Sequence, residues 1–426
     1  MSKLDQARED INRIDAEMAR LFAQRMEAVQ LVAEHKLEHG LPIRDAAREA
    51  TLIERNSRYI EDDAIRESYA QFIRNTIDLS CDYQRRMMHP SGTLSVNLGA
   101  RSYDIILERG ALHRAKELFD LDRKCLIVTG SQMPRAYAQA LAAQCRDAVI
   151  VTVPSGEAAK SFSVFESLCS TMLREGFHRS DCVVAVGGGT VGDLAGFAAA
   201  SFMRGVDFYN IPTTVLSQVD SSIGGKVAIN LDGVKNIVGA FRQPKGVLID
   251  PDVLRTLPAR QIANGLAESI KMAATSDAEL FEYLESQPIV ENIDRVIERS
   301  LRIKKFVVEH DETERGMRKL LNFGHTIGHG IESTGALLHG ECVALGMLPM
   351  CSPEVRVRLI SVLKKAGLPT TVSCDRDAVW AAMQHDKKFS GEGVDIVTVD
   401  TIGAGRIERV TSGQLRSRFD AAFREG

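Results

Sequence analysis

The sequence predicts a multidomain chain: an all-α head of three helices, then an α/β domain, then a mainly helical C-terminal region. Three observations carry this. Ahead of a change of texture at "MMHPSGT", Met87 to Thr93, the chain holds one glycine and one proline, Gly40 and Pro42, and its apolar residues recur at helical spacing. Beyond it, strand, glycine-rich turn and helix alternate, as in "KCLIVTGSQMP" and "CVVAVGGGTVGDLAGFAAA". From about Ala259 the helical pattern returns. The expected domains are residues 1–88, 89–258 and 259–426. A chain of 426 residues, 44% apolar and 26% charged, has the length and composition for two or three globular domains.

In the head, Ile11, Ile14, Met18, Leu21, Val29 and Val32 mark one helix from about Leu4 to His39. Gly40 supplies a C-terminal cap and Pro42 lies just beyond. A second helix is expected from near Asp45 and a third from near Asp62. Arg25 and Lys36 stand 11 positions apart, so at about 100° per residue they share a line of the first helix. Asp45, Arg48 and Glu49 share one side of the second. Arg8 points about 100° away from Arg25, toward a site that a partner chain would hold. From spacing alone, these charges also suit solvated faces of a dimerisation module.

In the α/β domain, an apolar strand runs into Gly187, Gly188 and Gly189 and then a helix of small residues, so backbone amides can approach a pyrophosphate at the helix start. Glycine turns after strands are also plain tight connections. In the C-terminal region "LNFGHTIGHGIESTGALLHGE" carries His325, His329 and His339. The first two are four apart on one helical face and can chelate as a pair, but no carboxylate lies between them to serve as the base of an H-E-x-x-H hydrolase.

Composition excludes several classes. A net charge of -4 offers no overall field for nucleic acid or an anionic membrane. Eight cysteines without C-x-x-C pairs imply reduced thiols rather than a disulfide framework. The start "MSKLDQARED" lacks the apolar core of a signal peptide, and no run approaches a membrane span, so a cytoplasmic address is expected.

Residues 1–88 resemble the all-helical chorismate mutases, matching at Arg8, Arg25, Lys36, Asp45, Arg48 and Glu49, with Ser80 and Gln84 on the third helix. The resemblance implies that Arg8, Arg25 and Arg48 hold carboxylates, that Lys36 and Gln84 face the ether oxygen, and that Glu49 faces the ring hydroxyl. It also implies an intertwined dimer in which Arg8 reaches the other subunit's site. Rearranging chorismate to prephenate needs no metal, only a cationic clamp on the compact dicarboxylate.

The motifs "PSGEAAKS", "FMRG", "PTTVLSQVDSSIGGKVAIN", "GVKNIVGAFRQP", "GLAESIK" and "LNFGHTIGHGIE" follow in order, and residues 93–411 are similar to the 3-dehydroquinate synthases. That resemblance implies NAD and one divalent metal, zinc or cobalt, the metal held by Glu268, His325 and His339. A carboxylate with two imidazoles and open positions is also a sound catalytic set chemically. His329 then serves proton chemistry instead. Substrate anions would meet Arg204, Lys226, Lys235, Lys271, Lys304, Arg318 and one of Lys387 or Lys388. Asn236 and Asn322 would add hydrogen bonds, and Asp220 would help orient Lys226 and the substrate. NAD contacts are expected at Glu157, Lys160, Gly188, Gly189, Asp193, Thr213, Thr214 and Thr256, with Lys226 and Lys235 close by.

The implied chemistry converts 3-deoxy-D-arabino-heptulosonate 7-phosphate to 3-dehydroquinate and phosphate, by transient oxidation, elimination, reduction and aldol closure. A homodimer or higher homo-oligomer is expected, with small-molecule substrates and neither nucleic acid nor membrane as partner. The chain departs from the family in two places. Thr129, Gly130 and Ser131 stand where Thr-Asp is common, so an altered ribose contact is expected. The helices between "GMLPMCSPE" and "LISVLKKAGLP" are about ten residues, or three turns, short, so altered packing or subunit contacts are expected there. The alternatives are a cyclase for another heptulose phosphate such as sedoheptulose 7-phosphate, an iron-type alcohol dehydrogenase, and a head that is a silent dimerisation or effector-sensing module.

Overall fold

With glycine and proline almost missing from the head and apolar residues at helical spacing, nothing interrupts its i to i−4 hydrogen bonding. The computed structural model describes residues 2–39, 45–88, 92–335, 337–371, 375–384 and 393–422. Gly40, Pro42, Lys387 and Lys388 lie outside the described residues. Two compact units result, Met1–Ala100 and Arg101–Gly426.

The first unit holds α1 (Lys3–His39), α2 (Ala46–Ser57), α3 (Asp63–Met88) and a short strand, β1 (Thr93–Val96). Asp45 caps α2, its carboxylate accepting the Arg48 N–H at 3.0 Å. Asp62 does the same for α3, accepting the Ala64 and Ile65 N–H groups at 2.9 and 3.1 Å. Both α1 and α2 pack on α3 around Ile73, Ile77 and Cys81, with Leu52, Ile53 and Tyr69 beside them. Ile11, Ile14, Met18 and Leu21, the apolar stripe of α1, stand exposed in the single chain.

The second unit opens with β2 (Tyr103–Leu107), α4 (Ala115–Leu118), β3 (Lys124–Gly130), α5 (Arg135–Ala142), β4 (Asp147–Val153), α6 (Phe162–Arg174), β5 (Cys182–Gly187), α7 (Gly189–Ser201) and β6 (Asp207–Pro212). A hairpin, β7 (Lys226–Leu231) and β8 (Val234–Phe241), precedes β9 (Gly246–Ile249). Strands β2, β9, β6, β5, β3 and β4 lie side by side in that order, all parallel. Cys125 and Ile127 of β3 face one core with Val184 of β5, while Leu126 and Val128 face the other with Val183. Burial on both faces accounts for the unbroken apolar runs. The chain leaves β3 for β4 on one side and returns to β5 on the other, so a crevice opens where the carboxyl ends of β3 and β5 diverge.

The rest is mainly helical, as expected from Ala259: α8 (Ala259–Ser276), α9 (Ala278–Ser286), α10 (Ile293–His310), α11 (His325–Glu332), α12 (His339–Met347), α13 (Pro353–Lys365), α14 (Arg376–Gln384) and α15 (Ser412–Ala422). A small antiparallel pair, β10 (Val394–Thr398) and β11 (Arg406–Val410), adds strands the sequence pattern had not marked. Helix α8 runs through the middle, buried from Ala263 to Thr275, with α9, α10, α12 and α13 around it. Every cysteine among the described residues is free. No described helix is long and apolar enough to cross a membrane.

Candidate active site

Glu268 and Lys271 lie one turn apart on α8, both almost without solvent exposure, and the Lys271 ammonium donates to Glu268 Oε2. Glu268 Oε1 is buried and has no hydrogen-bond partner among the described residues. Facing it are His339 Nε2 at 3.5 Å and His325 Nε2 at 3.8 Å. His325 is the first residue of α11 and His339 the first of α12, helices that pack against each other, so two helix starts converge on the side of a third. The three donor atoms lie within 4.8 Å of one another, a group able to hold a metal ion. An unsatisfied buried carboxylate oxygen facing two imidazole nitrogens is what a divalent cation would complete.

Burial by itself would lift the Glu268 pKa, but Lys271 and His339 outweigh it and hold it down to about 2. Burial likewise works against a charged His339, yet the Glu268 and Glu332 carboxylates bring it up to about 10. Glu332, the last residue of α11, meets His339 Nδ1 at 2.9 Å and takes the Lys235 ammonium at 2.6 Å. Those two cations override burial and keep the Glu332 pKa down to about 2. The His329 ring is 5.3 Å from that of His325 and 6.2 Å from that of His339, adjoining the ligand trio rather than completing it.

Around this centre the expected cations find anionic partners. Lys304 of α10 binds Asp220, which sits on a π-helical turn, Ser217–Ser221. Asp220 was expected to orient Lys226. Instead Lys226 pairs with Glu314, which also accepts from Asn322 Nδ2 at 2.7 Å. The reason is distance along the fold: the hairpin carries Lys226 to the 311–318 loop, while Asp220 stays beside α10. Arg318 is buried and donates to the carbonyls of Glu312, at 2.5 Å, and Gly224. Arg204 stands apart, exposed on a turn with Met203 and Arg204 both at positive φ, and makes no hydrogen bond or ion pair among the described residues.

The other end of the crevice is the glycine turn. Gly188 caps α7 with no side chain in the way, leaving the first amides of that helix open. A Cβ at Gly189 would lie 2.8 Å from Ser221 Oγ, so a side chain there would have to displace that hydroxyl. Lys160, nearly fully buried, donates to Asp193 of α7 at 2.6 Å and also to Asn236 of β8. Burial lifts the Asp193 pKa to about 6 against the pull of Lys160. Glu157 accepts from Asn230 at 2.7 Å, Thr214 Oγ1 lies 2.9 Å from Ser217 Oγ, Thr213 is buried, and Thr256 Oγ1 meets the Tyr137 hydroxyl at 3.1 Å. Ser131, just past the end of β3, bonds Ser155 at 3.1 Å. Lys235 and Asn236 are neighbours on β8, so one hairpin touches both the metal-ligand side and the nucleotide side.

The head has its own cluster. Arg25 of α1 donates to Ser80 of α3 and to the Thr76 carbonyl at 3.4 Å, and burial lowers its pKa. Gln84, one turn on, is buried with its Oε1 lacking a partner among the described residues. Lys36 and Glu49 are partly buried, whereas Arg8 and Arg48 are exposed. Asp45 is engaged as the α2 cap.

Two residues of this site were missed in the sequence. Glu332 ends the quoted motif "LNFGHTIGHGIE", so its signal was present; Glu314 sits in the charged run "HDETERG", where nothing separates it from surface acids.

A family model for the N-terminal part of 3-dehydroquinate synthase matches residues 150–264, and one for its C-terminal part matches residues 265–389. The type II chorismate mutase model matches residues 7–85. A 3-dehydroquinate synthase of Streptococcus mutans is 38% identical over 353 residues, covering 77% of this chain and 99% of its own. The chain belongs to the 3-dehydroquinate synthase family. It carries a type II chorismate mutase domain at its head, and both parts are enzyme families. A second family member, from Enterococcus faecalis, is 39% identical over 349 residues, covering 76% of this chain and 97% of its own. Among solved structures, 2-epi-5-epi-valiolone synthase from Streptomyces hygroscopicus, with NAD+ and Zn2+ bound, is similar at a TM-score of 0.70 and 26% identity, covering 76% of this chain and 97% of that one. A 2-deoxy-scyllo-inosose synthase, complexed with carbaglucose-6-phosphate, NAD+ and Co2+, shares the fold at a TM-score of 0.72 and 24% identity, covering 78% of this chain and 100% of that one. The synthase relatives favour this family over the other cyclases and the dehydrogenases considered above.

Proposed function

We propose that the chain is bifunctional, converting 3-deoxy-D-arabino-heptulosonate 7-phosphate to 3-dehydroquinate and rearranging chorismate to prephenate. The observation that carries the synthase reading is the buried, unsatisfied Glu268 Oε1 facing His325 and His339. These three residues would hold one divalent ion, zinc or cobalt, and the Gly188–Gly189 turn with Lys160 and Asp193 would hold NAD. When bound, the metal acidifies a substrate hydroxyl and the nicotinamide accepts and returns a hydride. Lys271 fixes Glu268 so that one oxygen remains directed at the ligand position. Lys226, Lys304 and Arg318 take the substrate's phosphate and carboxylate, released from Glu314 and Asp220 or shared with them. His329 moves a proton at the substrate carbon or leaving oxygen, since it adjoins the ligand trio without joining it.

In the head, Arg25 and Arg48, with Arg8 from a second copy, clamp the two carboxylates of chorismate, while Lys36 and Gln84 stabilise charge on the ether oxygen. Gln84 Oε1, buried without a partner among the described residues, fits a binding role better than a packing one. The test is to supply the seven-carbon phosphorylated keto acid with and without NAD and a chelator, and to identify the product by mass. Dehydroquinate formed only with NAD present and the chelator absent is expected; turnover that ignores the chelator would defeat the metal assignment. Chorismate supplied to the same protein should yield prephenate, and no conversion would make the head a silent module.

A further inference from the structure

Resting on that metal reading, the geometry points to Glu332 as a positioning residue: its carboxylate sits on the far nitrogen of a metal-ligand imidazole and is shared with the substrate-side Lys235. The two nitrogens of His339 face opposite ways. Nε2 looks at Glu268 Oε1 at 3.5 Å, and Nδ1 meets Glu332 Oε2 at 2.9 Å. An ionised carboxylate can only accept, so Nδ1 carries the hydrogen, and Nε2 is the nitrogen whose lone pair a metal ion would take in place of a proton. Glu332, His329 and His339 also form a group able to hold a cation. Yet Glu332 spends Oε2 on the nitrogen turned away from Glu268, and its other oxygen on Lys235 at 2.6 Å. Both oxygens are engaged, one by the far nitrogen of His339 and the other by Lys235.

Sharing gives the contact a function beyond orientation. A carboxylate behind a ligating imidazole makes that imidazole more basic and typically strengthens metal binding 10- to 100-fold. Lys235 competes for the same charge from the β7–β8 hairpin, whose next residue, Asn236, takes the Lys160 ammonium on the nucleotide side. When a substrate anion draws Lys235 off, the whole Glu332 charge falls on His339. Metal binding and anion binding are therefore coupled through one side chain, and by linkage each strengthens the other.

The test measures Co2+ affinity of the full chain by competition with a chelator, together with the visible d–d band of the bound ion. In E332Q, which keeps shape and loses charge, affinity should fall about 10- to 100-fold and the band should change, while NAD affinity stays as it was. K235M breaks the same ion pair from the other end and should bind Co2+ at least as tightly as the unaltered chain. Opposite responses separate this role from a merely structural salt bridge, which both variants would weaken alike. Unchanged Co2+ affinity in E332Q, or an equal loss in K235M, overturns the inference. Should E332Q fail to fold, E332D serves instead; it keeps the charge on a shorter arm and should bind Co2+ more weakly than the unaltered chain, and no loss there overturns the inference too. If the unaltered chain takes up no Co2+, the metal reading falls and this inference with it. Uptake by the unaltered chain with no effect in E332Q sinks only the part given to Glu332.

Discussion

Glu268 and Lys271 form a buried ion pair in which one carboxylate oxygen still lacks a partner, an arrangement that stability alone does not favour. Replacing Glu268 by Gln leaves the Lys271 ammonium buried without its counter-charge. The metal-free protein should lose about 3 kcal/mol in urea unfolding, and Co2+ uptake should vanish; full stability with full uptake would show that the pair is neither buried charge nor ligand. His329 offers a cleaner separation of roles. His329→Asn should keep Co2+ affinity while synthase kcat drops about 10²- to 10⁴-fold, and weakened Co2+ binding would make it a ligand after all. At this scale the residue types were legible, because a glutamate and two histidines within recognisable motifs announce a metal set. The partners were not. Sequence spacing could not tell that Lys226 meets Glu314 while Lys304 takes Asp220, since every such pair is closed by segments far apart in the chain.

Helices were read better than loops because their period and their caps are local. The long α1 and the capping aspartates Asp45 and Asp62 sit where the pattern put them. The β10–β11 pair escaped notice because its strands are only five residues long, and β11, Arg406–Val410, is mostly charged and exposed, with no apolar alternation to mark it. Contact between α11 and α12 sets the metal geometry, and it depends on two glycines. A Cβ at Gly346 would lie 2.0 Å from the Gly324 carbonyl oxygen, and Gly324, at φ +79°, starts α11 in a conformation other residues resist. Gly346→Ala should therefore cost about 3 kcal/mol and weaken Co2+ binding by parting His325 from His339; a fully stable variant with native affinity would mean the helices tolerate separation. The 311–318 loop, which carries Glu314 and Arg318, hangs on Asp311, whose carboxylate accepts the N–H groups of Arg315, Gly316 and Arg318 at 2.9, 2.7 and 3.0 Å. Slight burial opposes its charge, but those donors keep its pKa below the usual aspartate value. Its stabilisation is thus complete above that value and fades as pH falls through the lowered folded pKa. The stability gap between the unaltered chain and D311N should be constant from about pH 7 to 5 and narrow below about pH 4, as followed by urea unfolding; a gap that widens on acidification would contradict it.

For the whole molecule, the apolar stripe of α1 supports the proposed assembly. Ile11, Ile14, Met18 and Leu21 are each roughly half exposed in one chain, a long apolar face that water alone would leave costly. In the proposed dimer a second head would cover such a face symmetrically, and the bearing of Arg8, about 100° from Arg25 around the helix, would then deliver it to the neighbour's pocket rather than its own. Chains of R8A and of R48A should each be inactive as mutases. In a hybrid dimer one pocket receives both defects, while the other receives Arg8 from the R48A chain and Arg48 from the R8A chain, and so is intact. Equal mixing with free exchange makes half the dimers hybrids with one good pocket of two, so about a quarter of the unaltered mutase activity should return. Synthase activity should be the same in both parents and in the mixture, because every residue assigned to that site lies beyond the head. Were the mixture as inactive as its parents, despite mass measurements showing hybrids, each pocket would draw its Arg8 from its own chain and the intertwined arrangement would be wrong.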